Sequence, residues 1–298
     1  MINKLKNKPG LLGALLAFLG GAFWGISGVS GQYLFSVKGV TSTWLIPIRL
    51  TLAGVLLLAF QFARNGKKTL DVWKNKRNAI DTVIYGMFGL MMCQYTYFQT
   101  IEWSNAGTAC VIQYLGPSLV VLVMCIMEKR RPKITEVAAV LLAMAGIFLI
   151  ATHGNPTTLV LSPRALGMGL LSAVAVVLYT LQPVRLLKQF NTMTVLAWGM
   201  LIGGIELMII FRPWRYQVNI DAGFVAAFLY LIIFGTIISF SLYMQSVKMI
   251  GGVKASLIAC IEPVSATVFS ALLLGTSFAP IDIVGFVLVL STIFISAI

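Results

Sequence analysis

The sequence predicts an all-α polytopic membrane protein, with ten transmembrane helices arranged as two inverted five-helix repeats. Three observations carry this expectation. Of the 298 residues, 59% are hydrophobic and only 10% are charged, at a mean hydropathy of +0.93. A soluble domain needs about a quarter of its residues charged to cover its surface, so this surface must face hydrocarbon. Apolar stretches of about 18 to 25 residues recur along the chain, each long enough to cross a core about 30 Å thick. Finally, the chain matches itself when shifted by 146 positions.

The apolar runs cover about 11–35, 43–63, 80–101, 105–127, 134–152, 165–184, 193–211, 222–247, 251–274 and 280–298. They are continuous rather than alternating, which makes them helices and not barrel strands. The first run follows Lys4, Lys6 and Lys8, as a signal peptide would. It continues well past the ~7–15 apolar residues of such a peptide and is read as a retained helix.

The net charge of +13 is a topology signal. With the N-terminus cytoplasmic, seventeen of the 22 basic residues fall on the cytoplasmic side. They cluster at Lys4–Lys8, Arg64–Arg77, Lys129–Lys133, Arg185–Lys188 and Lys248–Lys254. Lys38, Arg164, Arg212 and Arg215 fall outside, and Arg49 lies within the second span. Such asymmetry orients helices during insertion, and it leaves no basic surface for a nucleic acid. Both termini are expected in the cytoplasm of a multi-pass protein of the plasma membrane.

The shift of 146 aligns Phe88–Ile150 with Phe234–Ser296 without a gap. Ten positions are identical, including Gly89/Gly235, Tyr97/Tyr243, Gln99/Gln245 and Pro117/Pro263. The repeats are assigned to residues 1–152 and 153–298. Because five is odd, the second copy enters the membrane from the opposite side. The loops agree: EKRRPK after the fourth run is strongly basic, and its counterpart GTSFAPID has no basic residue. In-plane pseudo-two-fold repeats of this kind are a construction of secondary transporters.

Particular stretches carry a family resemblance. AFWGISG and IRLTLAGVLLL lie in the first two spans. LGPSLVVLVMCIMEKRRPKITEVAAVLLAMAGIFLI stands in the first half and IEPVSATVFSALLLGTSFAPIDIVGFVLVLSTIF in the second. Together they resemble EamA-type repeats, and the whole chain resembles the ten-helix branch of the drug/metabolite transporter superfamily. The resemblance implies transport of small metabolites such as amino acids, amines or nucleotide precursors, often as export. It also implies a structural role for Arg49. It departs at Thr276, where the family often carries an acid; Glu128 holds that place in the first half.

Arg49, Glu206 and Glu262 are the ionisable residues set well inside spans. Each costs about 2.5–3.5 kcal/mol at a helix centre, so each is expected to face the bundle interior. Arg49 and Glu206 both fall in the outer half and are expected to form a structural charge pair. Glu262 lies near the midplane, beside Pro263, and its repeat partner is Gly116. Pro117 and Pro263 mark matching kinks that free backbone carbonyls where a ligand site is expected. Two readings of Glu262 stand. It either hydrogen-bonds freed backbone or a neighbouring helix, or binds a cationic group or a proton during a transport cycle. The rest of a pocket is expected from Trp24 and Ser27, from Tyr95 and Gln99 with Glu102, from Gln113 and Tyr114, and from Tyr179 beside Gln182. Aromatic rings with a few polar groups suit a small molecule.

A Gly-x-x-x-x-Gly-Lys-Ser/Thr loop and a His-Glu-x-x-His motif are both missing, and there is one histidine. The reading is therefore a secondary-active transporter rather than an enzyme, with no cofactor and no metal. It is expected to move an amino acid or amine, most simply outward, by alternating access with possible coupling to protons, and to act as a monomer in the bilayer. A facilitative carrier or channel for another metabolite, or a non-transporting scaffold, are the alternatives.

Overall fold

The structure, a computed structural model, describes residues 9–155, 160–250, 255, 258, 259 and 261–296. Lys4, Lys6, Lys8, Lys254 and Cys260 lie outside the described residues. Among the described residues the chain is helical, without strands, and seven helices are long and apolar enough to cross a membrane. It is a multi-pass membrane protein.

Helix α1 (Pro9–Ser36) ends before Gly39, whose φ of +66° turns the chain into α2 (Ser42–Asn65). Gly66 at φ +56° closes α2 and starts a 3-10 stretch, Gly66–Trp73. Positive φ costs glycine nothing and other residues more, so these turns are local choices of the sequence. Helix α3 (Lys76–Ile84) begins where the Asn75 side chain accepts from the N–H groups of Arg77 and Asn78. It passes through a π turn, Tyr85–Met91, into α4 (Met92–Trp103), making one continuous rod about 40 Å long.

Asn105 caps α5 (Ala106–Gln113), which breaks at Tyr114 before α6 (Leu115–Met127). The break is local chemistry: Pro117 has no N–H to give the Gln113 carbonyl four residues earlier. Helix α7 (Ile134–Thr152) starts where Glu136 accepts from the Lys133 N–H at 2.7 Å and from Arg130 at 2.8 and 2.9 Å. Ser162 caps α8 (Pro163–Leu181), with proline at the first helical position, where its missing N–H is harmless. A short α9 (Val184–Leu187) leads to α10 (Thr192–Phe211), capped by Asn191. Asp221 caps α11 (Ala222–Ile232), and a second π turn, Ile233–Ile238, joins it to α12 (Ser239–Ile250). Helices α13 (Ile261–Leu274) and α14 (Pro280–Ser296) complete the bundle.

Glycines set the closest helix contacts. A Cβ on Gly54 of α2 would lie 2.5 Å from the Leu201 nitrogen, and one on Gly204 of α10 would lie 2.5 Å from the Thr51 nitrogen. Gly146 of α7 and Gly285 of α14 meet so closely that a Cβ on either would sit 2.7 Å from the other's carbonyl oxygen. Small residues let backbones approach where lipid supplies no hydrophobic drive between helices. Helix α1 packs on α12 and α13, while α8 packs on α4 and α6. Apolar side chains such as Ile126, Ile209, Leu272 and Leu273 are well over half exposed, as a lipid-facing rim requires.

Candidate functional site: a central two-charge cavity

Between α1, α2, α4, α5, α8, α12 and α13 lies a cavity of about 180 Å³. Its wall includes Trp24, Ser27, Gln113, Tyr179 and Glu262, five of the residues expected from the sequence. Trp24 stands edge-on to Phe240 at 5.0 Å and tilted against Tyr243 at 5.2 Å. Tyr179 stacks on Tyr85 at 5.9 Å, and Gln113 donates to the Cys93 sulfur at 3.7 Å. Tyr114 is not part of the wall but gives its hydroxyl hydrogen to Glu262 Oε2 at 3.2 Å.

The placement of Glu262 follows from glycine and proline. Gly25 of α1 lies so close to α13 that a Cβ there would be 2.5 Å from the Glu262 carbonyl oxygen. Ser265 donates its hydroxyl hydrogen to that same oxygen at 2.9 Å. One turn earlier, the Ala259 carbonyl oxygen faces Gly21, where a Cβ would lie 2.6 Å away. Pro263 cannot donate to that carbonyl, so α13 can press it against α1.

Arg49 corrects an expectation. It is 3% exposed and forms no ion pair with Glu206. Its Nε and Nη2 donate to Thr236 Oγ1 at 3.3 and 3.1 Å, and its Nη1 donates to Gln94 Oε1 at 3.2 Å. The guanidinium lies 4.5 Å from the Phe98 ring centre and lines the cavity. The reason is rotational. Helices α2 and α10 meet through Thr51 and Gly204, and Arg49 and Glu206 each stand two residues away, about 200° around the helix. The contact that joins the helices therefore turns the two charges apart. Glu206 keeps a buried Oε2 without a hydrogen-bond partner, next to the exposed Ile205, Ile209 and Ile210.

Tyr95 and Gln99 also part from the expected site. Tyr95 donates to Gln99 Oε1 at 2.8 Å and its ring stacks on Phe211, while Gln99 Nε2 donates to Glu102 at 3.0 Å. Ser42 closes the group, its backbone N–H on Glu102 at 2.8 Å and its hydroxyl on Gln99 at 2.9 Å. The face of α4 turned to the cavity instead carries Cys93, Gln94, Tyr97 and Phe98. A π turn places one extra residue ahead of this helix, and each residue turns a helix by about 100°, which hydrophobic periodicity does not reveal. The available signal was Gln94, an amide inside an apolar run. Pro263 and Val264 line a separate, almost wholly apolar cleft with Phe286 and Val287, away from the charges.

The profile of the EamA-like transporter family matches residues 11–152 and again 163–298. The chain belongs to the EamA-like transporter family. The inner membrane transporter YicL of Salmonella typhimurium is 38% identical over 287 residues, covering 96% of this chain and 94% of its own. The transporter YyaM of Bacillus subtilis is 24% identical over 244 residues, 80% of this chain and 78% of its own. A chloroplastic WAT1-related protein of Arabidopsis thaliana is 24% identical over 295 residues, 92% of this chain and 66% of its own. One crystal structure with 18% sequence identity superposes with a TM-score of 0.63, over 97% of this chain and 96% of its own, a likeness of fold. This EamA transporter therefore works in a bilayer on a small molecule.

Proposed function

We propose that this transporter is a secondary-active carrier that moves a neutral amino acid or an amine across the plasma membrane by alternating access, in the direction of export. The observation that carries the reading is the central cavity, small, aromatic-walled and holding a carboxyl, built from helices of both halves of the chain. In this reading ten spans form two inverted repeats, 1–152 and 153–298, acting as a monomer with both termini cytoplasmic. Several features support the repeats. The family profile matches twice. The π turns Tyr85–Met91 and Ile233–Ile238 overlap under the shift of 146, as do the capping residues Asn75 and Asp221. The Gly54–Leu201 and Gly204–Thr51 contacts are reciprocal. The distribution of Lys and Arg supports the orientation.

Glu262 is proposed to hold the substrate's cationic group or a coupling proton, within reach of Tyr114. The test is exchange across proteoliposomes containing the purified chain. Neutral amino acids and their amines should show saturable counterflow, with Glu262→Gln folded and either weakened in binding by about tenfold or more or blind to an imposed pH gradient. A flux that neither saturates nor counterflows would make the protein a channel. A Glu262→Gln protein that loses only thermal stability would make the carboxyl structural.

A further inference from the structure

Arg49 and Glu262 look into one cavity of about 180 Å³, yet they do not form an ion pair. A buried guanidinium is normally held by a carboxylate, because an uncompensated charge in low dielectric is strongly destabilising. The partners here are a hydroxyl, an amide oxygen and a ring face, none with a full negative charge. Arg carries five N–H donors, and three are engaged. Glu262 is in the converse position, its Oε2 taking one hydrogen from Tyr114 and the Cys110 thiol beside it. Tyr97 lines the same cavity and lies within electrostatic reach of both charges. Trp24, Phe98, Val176 and Phe240 supply the apolar wall.

We infer that this cavity is a two-pole site for a zwitterion, with Arg49 taking the carboxylate and Glu262 the ammonium of one small molecule. The inference rests on the carrier reading above and narrows it from amines and amino acids to molecules bearing both charges. A simple amine satisfies Glu262 and leaves Arg49 uncompensated; a simple carboxylate does the reverse. Only a ligand bearing both groups compensates both charges without adding net charge to the membrane interior. At about 180 Å³ the space lies below the ~300–1,000 Å³ of drug-sized pockets, which sets the occupant at the scale of a small metabolite.

The experiment is counterflow in proteoliposomes with matched trios in which one pole is deleted at a time. For leucine these are leucine, isoamylamine and isocaproate, and corresponding trios are used for the other neutral amino acids. At least one zwitterion should exchange about tenfold or more faster than its amine or its acid. Arg49→Gln should bring that zwitterion down to the level of its amine. Glu262→Gln should bring it down to the level of the acid. Arg49→Lys, which keeps the charge without the fork, should restore part of the preference. An amine exchanged as well as its amino acid by the unmodified protein overturns the two-pole site and leaves the carrier reading standing, and this comparison needs no variant to fold. Lack of counterflow by every zwitterion and every amine overturns the carrier reading itself.

Discussion

The two ends of the bundle are cross-linked between halves by different chemistry. At one end, Lys38 in the α1–α2 turn meets Asp221, the cap of α11, at 2.6 Å, with its ammonium 5.5 Å from the Tyr33 ring centre. Behind this exposed pair lies a buried, uncharged network. Gln32 donates to Thr276 at 2.8 Å and accepts from Ser270 and the Ala106 N–H, each at 2.8 Å. At the other end a partly exposed ion pair is joined by neutral hydrogen bonds. Arg185 grips Asp81 at 2.6 Å and donates to Asn78 at 2.9 Å, while Asn78 reaches Gln189 at 3.2 Å and Gln182 donates to the Asp81 carbonyl at 3.0 Å. A buried neutral network loses little to solvent competition but leaves orphans when broken; a half-exposed ion fork is screened and forgiving. The first end therefore depends on one glutamine and the second is shared among several side chains.

Gln32→Leu should show the largest effect. It orphans the buried Ala106 N–H and leaves the Ser270 and Thr276 hydroxyls bonded only to each other, at a cost of about 1–3 kcal/mol read as lowered thermal stability of the detergent-purified chain. A loss no larger than that of a surface substitution would erase the contrast between the ends. Arg185→Ala should cost about 1 kcal/mol, because Asp81 and Arg185 both retain contact with solvent. Arg185→Lys should recover only part of this, since an ammonium cannot span Asp81 and Asn78 as a fork.

Asp221→Asn should have a smaller effect still, and one that depends on pH. The hydrogen bond from Lys38 holds the Asp221 carboxyl below its ordinary value, and the bond to Asp221 holds Lys38 above its own. A lowered carboxyl stabilises the fold above its unfolded value and loses that contribution as pH falls through its folded value. A raised ammonium contributes below its unfolded value and loses that as pH rises through its folded value. Wild type and Asp221→Asn should therefore differ across the neutral range and converge in acid; a difference persisting in strong acid would assign the effect to the helix cap. The smallest effect is expected in the middle of the bundle. A double-mutant cycle of Arg49→Gln and Glu206→Gln should be additive within about 0.5 kcal/mol.

Apolar runs, turn glycines and capping residues made most of the fold legible, because burial of backbone in lipid leaves helices as the solution and local chemistry sets their ends. Trp24, Ser27, Gln113, Tyr179 and Glu262 were legible as polar or aromatic groups at mid-depth, and the structure brings them to one cavity. Arg49 and Glu206 were misread because depth along a helix is visible in a sequence, whereas direction around it is set by the Thr51–Gly204 contact. Tyr95 and Gln99 were misread for a related reason: the π turn before α4 adds a residue that no composition announces.

That extra residue makes the chain sensitive to counting. Thr236, which accepts from Arg49, sits inside the π turn Ile233–Ile238, and its own hydroxyl donates five residues back to Leu231 at 3.0 Å. Deleting one residue there would let the turn close as ordinary α-helix, with every backbone bond remade. The segments on either side would nonetheless turn by about 100° against each other, so Asp221 and Phe240 could no longer both keep their partners. The same holds between Asp81 and Gln94, on either side of Tyr85–Met91. A missing residue at either place would leave helical content unchanged and the hydropathy profile intact. It would disconnect the ends of the molecule from its centre.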